Sequence, residues 1–401
     1  MSWQRTLWIL WMANFSTATG ISMILPFLPL YLGELGVTDE SEVLLWSGFI
    51  FSAQALTSIF FQPIWGSFAD RYGHKLMLMR AGIFGSIITM LMGFAGGPWH
   101  LLLLRMANGA ASGFIPMAVS MQAAVTPDQH TGKALGTLQT GVTAGMLIGP
   151  LIGGVLAGFF GFRTVFILTG LLSLVSTLIV GIYVKNNKPK QREVKETPAQ
   201  GWSVMLPLLP IFAATMLTQL AMMSIQPIIP IYAASLTDGS HTELIAGLVI
   251  SVAGIGTLIG SPILGRMGDA IGQRAVLIFS LIMCGMTFIP QALTSSIIVL
   301  LASRFCLGLF IGGMLPSLNT LIKKLAPQHM QSRAQGLNAS SQFIGNLTGP
   351  IMGSVISASF GFRSIFFITM GLLFANAIII WMNQKLKQQI KEHEAQQGPV
   401  I

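Results

Sequence analysis

Residues 160–166 read FGFRTVF, and residues 360–366 read FGFRSIF. Each copy places an arginine at the mouth of a long apolar run. Working outward from these two stretches, the likeness continues. PFLPLY at 26–31 is matched by PIIPIY at 227–232, and PIWGSFADRYGHK at 63–75 by PILGRMGDAIGQR at 262–274. Arg105 is matched by Arg304, Thr126-Pro127 by Ala326-Pro327, and Gly149-Pro150 by Gly349-Pro350. The offset stays between 199 and 201 throughout. The chain is therefore two halves of like topology.

The repeated material is too apolar for a water-soluble surface. Of 401 residues, 53% are hydrophobic and only 9% charged, against roughly 25% charged in soluble domains. Apolar runs follow one another with short pauses, each about 20 residues or longer, the length a helix needs to cross a hydrocarbon core. The short alternating strands of a transmembrane barrel do not appear. The pattern predicts an all-α polytopic membrane protein with twelve transmembrane helices in two pseudo-twofold-related six-helix bundles. The spans fall at 7–31, 43–68, 77–96, 99–122, 135–160 and 163–184 in the first half, residues 1–184. In the second half, residues 204–383, they fall at 204–233, 243–266, 275–294, 296–322, 335–359 and 363–383. Between the halves lies a charged linker, 185–203 (KNNKPKQREVKETPAQGWS), and a polar tail occupies 384–401. The first apolar run is too long for a signal-peptide core, so no cleavable signal is expected. Two parallel halves that enclose a midplane site and rock about it are a transporter architecture.

Lys and Arg set the orientation. With the N-terminus inside, every one of the 22 except Arg105, Arg163, Arg304 and Arg363 falls on the cytoplasmic side. The outer loops hold Glu34, Asp39, Glu40, Glu42, Asp238 and Glu243. Both termini are expected in the cytoplasm. The net charge of +9 is then a topology signal that needs no nucleic-acid partner. Cys284 and Cys306 fall in apolar spans and read as small free core residues, with no disulfide and no metal site. No HExxH, buried acid pair or Walker motif is present, which argues against an enzyme and against ATP-driven transport.

Several segments resemble signatures of the major facilitator superfamily, and the resemblance covers essentially the whole chain. Gly66-Ser-Phe-Ala-Asp70-Arg71-Tyr-Gly73-His-Lys75 resembles its loop 2–3 motif, with a partial second copy from Gly265 through Asp269 to Arg274. Gly145-Met-Leu-Ile-Gly149-Pro150-Leu-Ile-Gly153-Gly154 is similar to the span 5 motif of drug/proton antiporters. Arg105-Met-Ala-Asn108-Gly109 resembles the span 4 RxxQG motif with Asn in place of Gln, and Leu25-Pro26-Phe-Leu-Pro29 the span 1 motif of twelve-helix drug antiporters. The resemblance implies export of small amphipathic drugs in exchange for protons, by a monomer without a cofactor, in contact with membrane lipids.

The motifs carry mechanical expectations. Gly66 and Gly73 allow a tight turn to pack close to its neighbours. Asp70 can latch the positive N-terminus of helix 11, and Asp269 that of helix 5, each contact contributing ~0.3–2 kcal/mol, weak enough to break every cycle. The GxxxGPxxGG run combines close packing with a proline bend. It reads as a moving seam or as ordinary small-residue packing, and its echo at Gly345, Gly349, Pro350 and Gly353 favours packing for part of it. Arg105 lies about six residues, roughly 9 Å, into its span. An intramembrane cation is expensive and faces a partner or water. The resemblance implies a role for Arg105 in substrate or proton handling, the alternative being a structural arginine on backbone carbonyls. For Arg304 the structural role and the transport role stay equally open.

None of the 13 carboxylates lies at mid-span, and the six histidines fall in loops or at helix ends. Three explanations stay open for coupling. Glu34 or Glu243 reaches the cavity, Asp70 carries the proton, or no protonatable cavity group is used. A cavity with Arg105, with or without Arg304, and no fixed anion should prefer neutral, zwitterionic or anionic amphiphiles to dications. An exporter or flippase of an anionic, lipid-like metabolite would use the same charges. Asn14, Thr17, Gln54, Asn108, Gln139, Gln219, Gln226, Asn338, Gln342 and Asn346 are candidates to line the cavity or to bond helices together. The last three share one helix face. Met106, Met222, Met223 and Met314 offer adaptable surface. Arg163 and Arg363 read as anchors at the outer interface.

Overall fold

A computed structural model of the chain describes residues 3–184, 206, 208–237, 241–326 and 330–383, apart from the side chains of Asp128 and Ser332. The linker 185–203, the tail 384–401 and Asp238 lie outside the described residues. Among these residues all regular structure is helical. The first half contains α1 (Trp3–Ile24), a 3-10 turn (Leu25–Phe27), α2 (Leu28–Glu34), α3 (Glu40–Tyr72), α4 (His74–Met92), α5 (Pro98–Ala111), α6 (Phe114–Val125) and α7 (Asp128–Tyr183). The second contains α8 (Leu209–Ile225), α9 (Ile229–Ser235), α10 (Thr242–Ile271), α11 (Gln273–Leu293), α12 (Ile297–Leu325), α13 (Gln331–Phe360) and α14 (Phe362–Met382).

Local chemistry places the boundaries. Asp39 caps α3 by accepting from the Glu42 amide at 3.0 Å, and Glu40 and Glu42 add charge where the helix dipole favours it. Gly73 and Gly272 end α3 and α10 at φ 98° and 95°, a region side chains avoid. The FGFR copies mark the same kind of turn. Gly161 breaks α7 at φ 76°, Gly361 separates α13 from α14 at φ 80°, and Arg163 and Arg363 are exposed just beyond.

Among the described residues, ten stretches are long and apolar enough to cross a membrane. The stretch Gln129–Tyr183 is two passes divided at Gly161, and α13, with 30 residues, is long enough but more polar. These account for the expected twelve. The outward surface is that of a protein solvated by lipid. Phe159, Phe160, Phe360, Ile182, Ile298 and Trp381 are all more than 60% exposed, a surface that water would not tolerate. Proline-containing turns interrupt two expected spans, at 25–27 and 226–228. The expected span 99–122 is broken as well, at Ser112-Gly113, where Gly113 takes φ 123°.

The chain divides into two compact units, residues 1–193 with 227–251 and residues 194–226 with 252–401. In the first, α1 packs on the leading arm of α7, α3 on α5, and α4 on α6 and the trailing arm of α7. In the second, α8 packs on α13, α10 on α12, and α11 on α12 and α14. The same contacts thus recur at matched positions. A Cβ at Gly145 would lie 2.5 Å from the Phe15 carbonyl, and one at Gly149 2.6 Å from that of Thr19. The counterparts Gly345 and Gly349 would meet the Met216 carbonyl at 2.8 Å and the Leu220 carbonyl at 2.7 Å. Lys75 Nζ donates to the Gly181 carbonyl at 2.7 Å. Arg274 Nη2 donates to the carbonyls of Ile380 and Trp381 at 3.0 and 2.7 Å. Each cation sits at the C-terminal end of a helix, where the dipole welcomes it.

Two expectations are corrected. Cys284 is buried, but Cys306 is exposed and is not a core residue. Gly66 lies within α3, and a Cβ there would meet no heavy atom within 4 Å among the described residues. The positive φ at Gly73 explains the turn, and no close approach explains Gly66.

Candidate functional site

Within the first unit, α1, α3, α4, α5, α6 and the trailing arm of α7 border a half-open, mainly apolar pocket of about 160 Å³. Three of the expected lining residues meet there, Thr17 from α1, Gln54 from α3 and Asn108 from α5. They are joined by Ser86 and Thr89 from α4, Ser112 after α5, and Ser173 and Thr177 from α7. Asn108 Nδ2 donates to Thr89 Oγ1 at 3.4 Å. The lining contains no ionisable side chain. Thr17 Oγ1 and Ser86 Oγ are buried and have no hydrogen-bond partner among the described residues. One turn before Thr17, Asn14 is fully buried with neither amide atom partnered among those residues.

One wall of the pocket is the break at Ser112-Gly113. Ending α5 there frees backbone carbonyls, which need donors in a low-dielectric interior. Side chains supply them. Ser58 Oγ donates to Gly109 O at 3.2 Å, Trp65 Nε1 to Ala110 O at 2.7 Å, and Arg80 Nη2 to Ala111 O and Ser112 O at 3.3 and 3.0 Å. The Arg80 guanidinium lies over the Trp65 ring, 3.8 Å from its centroid, a cation–π contact. A positive side chain therefore rests on the C-terminal carbonyls of α5.

Arg105 is buried on α5 and donates through Nε to the Ile50 carbonyl of α3 at 3.5 Å. Arg304 is buried on α12, and its Nε has no partner among the described residues. In the second unit, Gln219 Nε2 donates to Asn346 Oδ1 at 2.8 Å, and Asn338 Nδ2 to Asn319 Oδ1 at 2.8 Å. The amide face of α13 thus divides between two neighbouring helices. Gln342, Gln226, Met222, Met223 and Met106 are half-buried, Met314 is buried, and Gln139 is exposed. Glu34 and Asp70 are exposed and Glu243 half-buried. Arg71 packs its guanidinium on the Tyr72 ring at 5.4 Å, and Asp269 accepts from Gln273 Nε2 at 3.2 Å.

The span 5 glycines serve two partners. Gly145, Gly149 and Gly153 bring α7 onto α1. Gly154 faces α10 instead, where its Cβ would lie 2.8 Å from the Glu243 carbonyl, and Gly247 closes against the Pro150 carbonyl. The second half repeats the first three glycines but has Ser354 at the fourth position.

Sequence reasoning missed Ser58, Trp65, Arg80, Ser86, Thr89, Ser173 and Thr177. The signal was present in the repeat, since several of these positions hold apolar residues at the matched place in the second half.

Paired polytopic halves built on the same helix contacts define a membrane transporter fold. The Major Facilitator Superfamily model matches residues 10–212 and again 211–400, and the chain belongs to that family. It is 38% identical over 387 residues to the multidrug resistance protein MdtG of Salmonella paratyphi C and to that of Salmonella typhimurium, covering 95% of this chain and 96% of each relative. Among solved structures it resembles a bacterial homologue of the human lysosomal transporter Spinster, with TM-score 0.78, 17% identity and coverage of 97% of this chain and 98% of that one. It also resembles a peptide transporter, POT, in complex with sulfate, with TM-score 0.75, 16% identity and coverage of 96% and 95%.

Proposed function

We propose that the protein exports small amphipathic drugs across the bacterial inner membrane by alternating access, as a monomer with both termini cytoplasmic and in exchange for protons. The observation that carries this is the likeness to multidrug resistance proteins along nearly the whole chain, together with a polar interior inside an apolar exterior. Arg105, Thr17, Gln54 and Asn108 contact cargo in the first half. Arg304, Gln219, Met222, Gln226, Gln342 and Asn346 do so in the second. Buried arginines without a fixed anion favour neutral, zwitterionic or anionic cargo, because a cation would meet like charge in a medium that screens little. The same charges favour a second reading, export of an anionic lipid-like metabolite. Coupling candidates are Glu34, Asp70, Glu243 and Arg105, with Gly73, Asp70, Gly154 and Pro150 in the moving parts.

The test is efflux from proteoliposomes with and without an imposed pH gradient, comparing wild type with Glu34→Gln, Asp70→Asn, Glu243→Gln and Arg105→Ala. Gradient-dependent efflux that one of these removes supports the assignment. Gradient dependence that survives all four refutes it. Transport of a lipophilic dication in preference to its anionic analogue refutes the cargo class.

A further inference from the structure

A second groove runs between α1 and the trailing arm of α7. It is half-open and mainly apolar, with a volume of about 330 Å³. Arg5, Trp8, Ile9, Met12 and Ser16 line it from α1, and Ile179 from α7. The α1 positions recur at three- and four-residue steps and so share one helix face. Trp8, Met12 and Ile179 are 58%, 65% and 43% exposed, whereas Leu7, Leu10 and Asn14, on the other side of α1, are buried. The apolar strip ends on one charge. Arg5 is exposed and has no ion pair or hydrogen bond among the described residues. The second half differs at the matched positions. Leu206 stands in place of Arg5. Asn376 stands in place of Ser176, which also lines the groove, and its Nδ2 donates to Ala214 O and Thr218 Oγ1, both at 3.0 Å, tying α14 to α8. Ser176 Oγ instead donates back to Leu172 O of its own helix at 2.8 Å. Thr17 Oγ1, the counterpart of the Thr218 acceptor, is left without a partner among the described residues.

From Arg5 to Ser16 the groove extends about 16 Å along the helix. That is about half of a hydrocarbon core, the depth of one leaflet. Arg5 lies just ahead of the first apolar span, at headgroup level, and Trp8 one turn further is a residue type that favours the interface. A guanidinium without a carboxylate partner attracts phosphate through its paired donors, and the strip beyond it offers hydrocarbon contacts. The linker that follows α7, KNNKPKQREVKETPAQGWS, is too polar to fill such a strip. We propose that the groove binds one phospholipid of net negative headgroup, its phosphate on Arg5 and one acyl chain along Trp8, Met12 and Ile179. A headgroup that carries its own cation binds less well, because that cation meets the like charge of Arg5. Assignment to the cytoplasmic leaflet rests on the proposed orientation of the termini, and the site itself does not.

The test uses full-length protein in detergent micelles, titrated with phosphatidylglycerol or with phosphatidylcholine of the same acyl chains and read by native mass spectrometry. Phosphatidylglycerol should bind about tenfold more tightly, the ratio that one charged hydrogen bond gives. Arg5→Leu, which copies Leu206, should remove that preference, and Arg5→Lys, which keeps the charge, should retain it. Should Arg5→Leu not fold, Arg5→Gln takes the same reading. Ser176→Asn, which copies Asn376 and offers a donor to the Ala13 carbonyl, should weaken both lipids alike, because it closes the groove and leaves the charge in place. Phosphatidylglycerol with a photoreactive acyl chain should label the peptides that hold Met12 and Ile179, and about tenfold less in Arg5→Leu. Equal affinity of the wild type for the two lipids, a preference that survives Arg5→Leu, or label that falls on other helices overturns the inference. The binding constants are independent of transport, so a wild-type protein that binds phosphatidylglycerol but exports no amphiphile counts against the export reading alone.

Discussion

The two halves agree where helices touch and differ in what they enclose. Gly145, Gly149 and Gly153 bring α7 onto α1 just as Gly345, Gly349 and Gly353 bring α13 onto α8. Lys75 and Arg274 each tie off the end of a helix from matched positions. Inside, α12 runs as one helix from Ile297 to Leu325 with Pro316 in it and packs on α11, which carries Leu281 and Phe288, while its counterpart is split at Gly113 beside a half-open pocket. Even the caps of that split are peculiar to the first half. Arg80 and Trp65 correspond to Phe279 and Leu264, and Phe279 packs edge-on against Phe310. Backbone packing is therefore shared architecture, and the interior side chains are where the halves specialise.

Substitutions at matched positions test this division. The largest difference is expected at the buried arginines. Arg105→Ala should lower proteoliposome efflux about 10- to 100-fold, the equivalent of a charged hydrogen bond of ~1.5–3 kcal/mol. Arg304→Ala, which removes a side chain whose Nε has no partner among the described residues, should cost less than about tenfold on the same scale. Equal losses would show that the interiors do the same work. Next, Gly154→Ser copies Ser354 into the first half and forces α7 against the Glu243 carbonyl. It should destabilise the protein by about 1–3 kcal/mol in detergent unfolding, whereas Ser354→Gly should stay within about 1 kcal/mol. Arg80→Met should cost about 1–2 kcal/mol, by removing the α5 cap and the Trp65 contact. Phe279→Met should cost less than about 1.5 kcal/mol as a volume-conserving change. The smallest effect is the symmetric one. Lys75→Met and Arg274→Met should each cost about 0.3–1 kcal/mol and match each other. A marked inequality there would mean that the likeness is less structural than the packing indicates.

Much of the fold was legible because its signals are additive along the chain. Hydropathy gives the spans, and the FGFR copies mark the Gly161 and Gly361 turns. The prolines at 26, 29, 227 and 230 mark interruptions, although a hydropathy window runs straight through them. The break at Gly113 was hidden for a similar reason, since its sequence, AASGFIP, is apolar enough to continue a span. The residues around the pocket were legible only in part. Thr17, Gln54 and Asn108 stood out as polar groups in hydrocarbon. Ser86, Ser173 and Thr177 did not, because a serine or threonine in a membrane helix usually satisfies itself on the preceding turn. Ser58, Trp65 and Arg80 escaped notice because their partners are carbonyls created by a break that only the three-dimensional structure reveals. Cys306 was misplaced because hydrophobicity cannot distinguish a helix face toward lipid from one toward protein.

The joint at Gly113 has a mechanical corollary. α12 is one continuous helix that has Pro316 inside it but no non-helical joint. α5 and α6 instead meet through the extended Ser112 and the positive-φ Gly113 and can flex there, so α6 can swing while α5 keeps Arg105 on the Ile50 carbonyl. The first half can thus reshape the pocket beside α6 without disturbing the buried charge on α5.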